Sequence, residues 1–248
     1  MSGHSKWASI KHKKGAADAK RGKLFTKIIK EIIVSARLGG GDPDANPRLR
    51  SSLLKAKTAN MPKDNIERAI KKGTGDLEGV EYMEMSYEAY GPGGVAILIE
   101  ILTDNKNRTA AEIRHTLSKG GGNLGETGCV SYLFKRKGII AFSTEKYNED
   151  EILDAALEAG AEDVVNDGEI IEVTTDPDEF EAVVNALTEA GFENTFAEVS
   201  KIPDATISLE KNKTGKAIKL IEALEDNDDV QSVATNLDIP DDFKLDEE

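Results

Sequence analysis

The sequence predicts a multidomain α+β protein: an N-terminal three-helix domain followed by two ferredoxin-like α+β domains, the third inserted in the second. Three observations predict this fold class. Apolar residues recur at helical spacing through about the first 75 residues, strand-like segments alternate with helices from residue 80 onward, and the balance of charge changes sign at the same boundary.

Three helices are predicted in the first segment. From Gly15 to Arg37, apolar residues at three- and four-residue spacing form one stripe of a long amphipathic helix, which the glycines at 39–41 end. A second helix begins at Asn46-Pro47, a cap followed by a first-turn proline. A third begins around Pro62 and stops at Gly73. Three such helices can bury one another's stripes.

Extended segments follow. Residues 84–90 and 95–103 read as strands around a glycine-proline turn. Thr109 and Glu112 have the spacing of a capping box, which predicts a helix that starts there and ends near residue 119. A short strand is expected at 130–134.

The remaining chain predicts a βαββαβ unit inside a second, discontinuous domain. The unit's order of strand, helix, strand, strand, helix and strand is that of a ferredoxin-like domain. A strand, helix and strand after it complete the domain that begins near residue 80. The predicted domains are 1–75, a basic helical domain; 80–137 plus 203–238, a discontinuous α+β domain; 138–202, an inserted βαββαβ domain; and 239–248, an acidic tail.

Charge is divided unequally along the 248 residues. Residues 1–75 hold 18 Lys and Arg against 6 Asp and Glu, a net +12, whereas residues 76–248 hold 14 against 40, a net −26. The overall charge of −14 therefore conceals a basic segment on an acidic chain. An asymmetry of this size indicates that the basic segment contacts nucleic acid or a membrane.

Composition excludes several classes of protein. The single cysteine, Cys129, can form neither an internal disulfide nor a thiolate zinc cluster, which fits cytosolic chemistry. The longest apolar runs, such as 95–99 and 139–142, are too short to cross a membrane. The basic leader 1–14 lacks the apolar stretch of a secretory signal. We therefore expect a cytoplasmic protein without a membrane partner.

Enzyme and metal sites have little support. The histidines His4, His12 and His115 offer no helical pair for a metal, and no serine lies in a nucleophile elbow. Residues 120–125 match G-x-G-x-x-G, but a helix precedes them and a strand follows, the reverse of a dinucleotide site. We expect a helix-to-strand turn there, no catalytic residues, no metal and no cofactor.

The basic leader and first helix carry the strongest functional signal. A dense patch of cations attracts nucleic acid because phosphates release counterions when they are neutralised. Trp7, the only tryptophan, could stack on a base or pack against the helices. The predicted nucleic-acid-binding residues are Lys6, Trp7, Lys11, Lys13, Lys14, Lys20, Arg21, Lys23, Lys27 and Lys30.

A second polar cluster, residues 103–109, lies where a strand passes into a helix. Such loops often bind ligands because the backbone presents free amides there. The alternative is a polar connector that caps the helix. The sequence leaves both open.

In nine segments the chain resembles the YebC family of bacterial and organellar regulators. The segments are Gly3–Ala8, Asp18–Lys23, Phe25–Lys27, Gly39–Pro43, Asn46–Arg50, Asn60–Asn65, Tyr90–Gly94, Asp104–Thr109 and Gly121–Gly125. The resemblance implies a helical domain followed by two α+β domains, and regulation of gene expression without catalysis. It also implies DNA-binding transcriptional regulation, while organellar relatives, among them mitochondrial translational activators of cytochrome c oxidase, and some bacterial members act in translation on the ribosome.

The leading expectation is thus a non-catalytic regulator that binds DNA through its basic helical domain. The alternative is a translation factor that places the same cations on ribosomal or transfer RNA, since phosphate contacts do not distinguish the two. A third possibility is an enzyme with a small-molecule site between the acidic domains. The acidic domains would repel nucleic acid and could bind a basic protein partner.

Overall fold

The structure is a computed structural model that describes residues 18–168, 170–240 and 243, with side chains from residue 21 onward. It confirms the α+β fold class, with a helical region first and sheets after it. The described chain forms two compact units. The first comprises residues 18–129 and 211–233, and the second comprises 130–210 and the described residues from 234 onward.

Helices α1 to α3 open the first unit: α1 Asp18–Gly39, α2 Pro47–Thr58 and α3 Lys63–Thr74. The Asn46 side chain caps α2 by accepting a hydrogen bond from the Leu49 amide, as the sequence predicts. The core between the helices is built from the α1 stripe and apolar residues of α2 and α3. Its buried members are Ile28, Ile32, Ile33, Ala36, Leu49, Ala56, Met61 and Ala69.

The rest of the first unit is a sheet with two helices. Its elements are β1 Met83–Tyr90, β2 Ala96–Thr103, α4 Lys106–Lys119, β3 Asn123–Leu124, and, after the second unit's segment, α7 Lys211–Glu225 and β9 Val230–Thr235. The strand order is β3-β1-β2-β9, and β1 pairs with β2 antiparallel from Met83 opposite Thr103. Helices α4 and α7 pack together. β2 is buried along nearly its whole length.

The second unit contains the βαββαβ arrangement. Its elements are β4 Phe134–Ser143, α5 Glu149–Glu158, β5 Asp163–Asn166, β6 Ile170–Thr175, α6 Phe180–Glu189 and β7 Phe196–Pro203, with the short parallel pair β8 Ile207–Ser208 and β10 Leu237–Asp238. The strand order is β5-β6-β4-β7, with antiparallel neighbours, as a ferredoxin-like domain requires. The predicted domain ranges, 1–75, 80–137 plus 203–238, 138–202 and 239–248, stay predictions.

Two local predictions were wrong. The helix after β2 begins at Lys106, not Thr109, because the Asn105 side chain caps it by accepting from the Arg108 amide. The expected strand at 130–134 is a short 3-10 turn at Ser131–Leu133, and β4 starts at Phe134.

Within β4, a Cβ at Gly138 would collide with Thr175 Oγ1 of the neighbouring strand. The glycine therefore permits close packing within the sheet.

The glycine run after α4 is the predicted helix-to-strand turn. α4 ends at Lys119 and β3 begins at Asn123. A Cβ at Gly120 would lie 2.6 Å from Leu220 of α7, and Gly121 has a positive φ of 77°. The turn therefore needs glycine for space and for backbone conformation.

Candidate nucleic-acid interface

One face of α1 carries a lysine row, Lys23, Lys27 and Lys30, whose spacing places the side chains along one side of the helix. The row meets the end of α7. Lys23 Nζ lies 2.6 Å from the Asp226 carboxylate, and Lys27 Nζ lies 2.5 Å from the Glu225 carbonyl oxygen. The last carbonyls of a helix lack intrahelical partners and carry the negative end of its dipole. The lysine row therefore docks α1 against α7.

The third lysine of the row is buried. The Lys30 side chain is 10% exposed, and its ammonium donates to Asp229 Oδ1 at 2.7 Å and to the Asp228 carbonyl oxygen at 2.8 Å. The same ammonium lies 5.6 Å from the centre of the Tyr82 ring, within the range of a cation–π contact. Lys30 thus ties α1 to the loop between α7 and β9.

Asp229 is the centre of this contact, with its side chain only 5% exposed. Its Oδ2 accepts hydrogen bonds from Thr103 at 3.1 Å, Thr109 at 2.7 Å and Arg108 at 2.8 Å, in addition to the bond from Lys30 to Oδ1. Burial raises the pKa of Asp229. The hydrogen bonds from Arg108, Lys30 and Thr109 outweigh burial and hold that pKa well below its usual range. Asp229 therefore binds as a carboxylate.

These bonds assign a role to the polar cluster 103–109. Thr103 also receives a hydrogen bond from the Asn105 amide, and Arg108 pairs with Asp104 at 2.8 Å. The side chains of the cluster cap α4 and hold the chain's own Asp229. These contacts are those expected of a polar connector, and ligand binding by the cluster stays a prediction.

Arg48 makes a second contact between the helices and the sheet. Its guanidinium pairs with Glu31 of α1 at 2.8 Å and with Glu84 of β1. Burial lowers the pKa of Arg48, but the hydrogen bonds to Glu84 and Glu31 outweigh it and raise the pKa above its ordinary value. Arg37 adds a hydrogen bond to the Val80 carbonyl oxygen at 3.1 Å. Cations of the helical segment thus fix it on the sheet of the same unit.

Other cations of the helical segment lie on a surface that we call the basic end: Arg21, Lys55, Lys57 and Lys63. All four are exposed. Lys55 and Lys57 lie in the last turn of α2, and Lys63 begins α3. The basic end therefore surrounds the α2–α3 turn and the first described side chains of α1.

An open cleft of about 340 Å³ lies at the basic end, lined by Arg21, Phe25, Ala59, Asn60 and Pro62. Arg21 and Phe25 are one helical turn apart, so they share a face of α1. Asn60 has a φ of 55°, a left-handed conformation that asparagine tolerates better than most residues. The cleft therefore combines a cation, an aromatic ring and an amide on a small apolar surface.

Two family models match the chain. One describes the N-terminal domain of TACO1/YebC proteins and matches residues 5–76; the other describes their second and third domains and matches residues 82–237. Together they cover both units.

The chain belongs to the TACO1/YebC family.

Curated relatives align with this TACO1/YebC protein over almost its full length. A probable transcriptional regulatory protein of Treponema denticola is 60% identical over 247 residues and covers 100% of both chains. One from Desulforapulum autotrophicum is 58% identical, over 97% of this chain and 98% of the relative. A crystal structure of a conserved hypothetical protein from Aquifex aeolicus matches with a TM-score of 0.83 and 48% identity, over 93% of this chain and 95% of that one.

Five of the ten predicted binding residues of this TACO1/YebC protein lie in the described helix α1. Lys20 lies in α1, but its side chain is outside the described part of the chain, whereas Arg21 lines the cleft. Lys23 and Lys27 contact the end of α7, and the buried Lys30 pairs with Asp229. The predicted residues that lie outside the described ranges are Lys6, Trp7, Lys11, Lys13 and Lys14. For these ten residues, nucleic-acid binding stays a prediction.

The ten predicted residues do not include Lys55, Lys57 and Lys63 of the basic end. They also do not include Asp229, whose carboxylate binds Lys30 of α1. The three lysines contribute to the charge excess of residues 1–75, and that excess was a signal that could have found them. Asp229 is one of many acids in the acidic part of the chain, and no local pattern separates it from the others.

Two further features are absent from the described ranges. No group of three His, Cys, Asp or Glu side chains there is arranged to hold a metal ion. No helix among those residues is both long enough and apolar enough to span a membrane.

Proposed function

We propose that this protein is a non-catalytic, cytoplasmic regulator of gene expression that binds nucleic acid, principally DNA, through its basic helical segment. The names of the curated relatives support the regulatory role. The residues that we propose to contact phosphates are the cations of the leader, Lys20 and the basic end. The lysine row instead serves to hold α1 in place.

The observation that carries this proposal is how the cations are used. Lys30 binds the buried carboxylate of Asp229, whereas Arg21, Lys57 and Lys63 lie at the surface, where Lys63 pairs with the exposed Glu67 at 3.5 Å. A buried charge is costly to leave unpaired, so the fold requires its contact, but an exposed cluster of cations contributes little to folding. Such a cluster raises the local concentration of a polyanion and steers its approach. The acidic remainder of the chain repels phosphates and leaves a surface that suits a basic protein partner.

The alternative function is binding of ribosomal or transfer RNA during translation. The cleft at the basic end favours it, because an aromatic ring and an amide in an open cleft suit unpaired bases better than a regular duplex. Phosphate contacts alone do not distinguish DNA from RNA.

The proposal is tested by replacing Lys11, Lys13, Lys14, Lys20 and Arg21 with alanine in the full-length chain. Affinity for a DNA duplex should fall across all sequences. The slope of log affinity against log salt should flatten by about 0.9 for each phosphate that the variant no longer neutralises. Fluorescence anisotropy at a series of salt concentrations measures both quantities.

A matched variant controls for charge alone by removing five cations from the second unit. Its residues are Lys135, Arg136, Lys137, Lys146 and Lys201, also changed to alanine. This variant should keep the wild-type salt slope. An equal flattening of the slope in both variants would show that overall charge, and no particular surface, governs binding.

Cell fractionation separates the two nucleic acids. Ribosome co-migration that survives DNase treatment but not moderate salt would support the RNA alternative. Release by DNase, with recovery of promoter fragments after crosslinking, would support DNA.

A further inference from the structure

Among the described residues, two segments that the helical core holds in place line the cleft at the basic end. Arg21 and Phe25 come from α1, and the rest comes from the turn between α2 and α3. The turn is anchored at Met61, which is buried and donates its amide to the Ala56 carbonyl oxygen at 2.9 Å. Phe25 packs partly on the helical core and keeps part of its ring at the surface. The helical core therefore supports the Phe25 side of the cleft and the α2–α3 turn.

The residues of the cleft offer the contacts that a nucleobase needs. The exposed part of the Phe25 ring presents an aromatic surface for stacking, and Ala59 and Pro62 add apolar surface. The Asn60 amide has both donors and an acceptor, so it can bond to the edge of a base. The Arg21 guanidinium can stack on a base or pair with a phosphate.

The size and charge of the cleft restrict its occupant. Its volume of about 340 Å³ lies at the low end of small-ligand sites, which are roughly 300–1,000 Å³. That space suits one ring system and its sugar, not a folded partner. Lys55, Lys57 and Lys63 flank the same turn and provide charge for the phosphates on either side of the base.

We propose that this cleft binds one unpaired nucleobase of a single-stranded segment, with the flanking phosphates held by the lysines of the basic end. This inference rests on the proposed nucleic-acid binding and specifies its target as a strand with an accessible base. A base within a duplex does not reach the cleft, because both its faces are stacked and its edge is paired.

The test compares three probes on the full-length protein: a single-stranded RNA of about twelve nucleotides, the same sequence as DNA, and its duplex. Phe25→Leu keeps an apolar side chain against the core but removes the aromatic face. It should lower affinity for both single strands by about fivefold, the low end of what one base–aromatic stack contributes. Duplex affinity and the salt slope should not change, because the variant keeps every cation.

A second variant separates a loss of binding from a folding defect. Asn60→Gly retains the left-handed backbone and removes only the amide, so single-strand affinity should fall severalfold while the urea unfolding midpoint stays at the wild-type value or rises. Leu24→Ala is the matched control, since Leu24 is 47% exposed beside Phe25 but does not line the cleft. It should bind all three probes like the wild type.

The outcomes separate this inference from the proposed function. If neither single strands nor duplex bind the wild-type protein, nucleic-acid binding itself is wrong. If they bind and Phe25→Leu has wild-type affinity for single strands, only the cleft is wrong. If Phe25→Leu lowers affinity equally for single strands and duplex, the inference about the cleft is also wrong, because Phe25 then acts through helix packing. Equal effects on RNA and DNA are expected, since stacking does not involve the sugar.

Discussion

Asp229 shows how one carboxylate joins distant parts of the chain. Its oxygens bind Lys30 of α1, Thr103 at the end of β2, and Arg108 and Thr109 of α4. A buried ion pair contributes modestly to stability as a whole, but removing one partner leaves an uncompensated buried charge. A small chemical change at Asp229 is therefore expected to lower the stability of the fold strongly.

Asp229→Asn should lower the free energy of unfolding by about 3 kcal/mol, because the Lys30 ammonium then remains buried without its carboxylate. Urea unfolding at pH 7 measures the change. Asp226→Asn is a matched control three residues earlier, since Asp226 pairs with Lys23 at an exposed position, and its cost should stay below about 1 kcal/mol. Similar losses in the free energy of unfolding for the two variants would show that burial does not decide the cost of losing the carboxylate.

The pH dependence of the Asp229→Asn effect follows from the lowered pKa of Asp229. A carboxylate whose pKa is lower in the folded state than in the unfolded state stabilises the fold above the unfolded pKa, about 4, and loses this effect as the pH falls. The stability difference between wild type and variant should therefore shrink from pH 6 toward pH 3. A difference that stays constant over this range would count against an ionised Asp229 as the stabilising species.

At the scale of helices and strands, packing decides which glycines are needed. α3 crosses α1 closely at Gly73, where a Cβ would lie 2.5 Å from the Ile33 carbonyl oxygen and 2.6 Å from Ala36 Cβ. Gly22 also lies in a helix, but apart from that helix's own backbone a Cβ there would meet no described atom within 4 Å. Both glycines have the same local cost in a helix, so only their surroundings distinguish them.

Gly73→Ala should destabilise the protein by about 2 kcal/mol, because α3 has to move away from α1. Gly22→Ala should stabilise it by about 0.5–1 kcal/mol, because alanine restricts the unfolded chain without a clash. Thermal unfolding of the two variants beside the wild type tests the pair. Changes of the same sign would show that helix propensity outweighs the crossing.

Elements were predictable where their signals are local. The Asn46 cap, the order of strands and helices from residue 139 to 200, and the turn at 120–125 all depend on residues a few positions apart. The predicted start of α4 was wrong because two candidate caps, Asn105 and Thr109, lie within five residues. In the folded chain Thr109 donates to Asp229, 120 residues away, and residues near Thr109 in the sequence do not predict this contact.

At the scale of the whole molecule, the protein has separate cores. The core of the second unit contains Ile140 and Phe142 of β4, whereas the helical core contains Ile28 and Ile32 of α1, and the two clusters share no residue. Each sheet or helix bundle buries its own apolar face. We therefore expect weaker packing in one core to act mainly on its own unit.

Ile140→Val should destabilise the second unit by about 1 kcal/mol, because one buried methylene is removed. Hydrogen exchange should become faster in β4, β6 and β7 while amides of α1 keep their wild-type rates. Ile32→Val is the reciprocal control and should affect α1 to α3. Equal acceleration of exchange in both units by either variant would reveal one cooperative structure instead of two.

The sequence by itself determined the fold class, most elements and the separation of a basic segment from an acidic remainder. These follow from periodicity, caps and composition, which act over a few residues or sum over many. Only the tertiary structure decided which cations dock the helices and which lie at the surface. Lys30 binds Asp229, which lies 199 residues away in the sequence, while Arg21 and Asn60 line one cleft because α1 and the α2–α3 turn share a core. Opposite charges attract strongly only over short distances, so the fold decides which carboxylate a lysine pairs with.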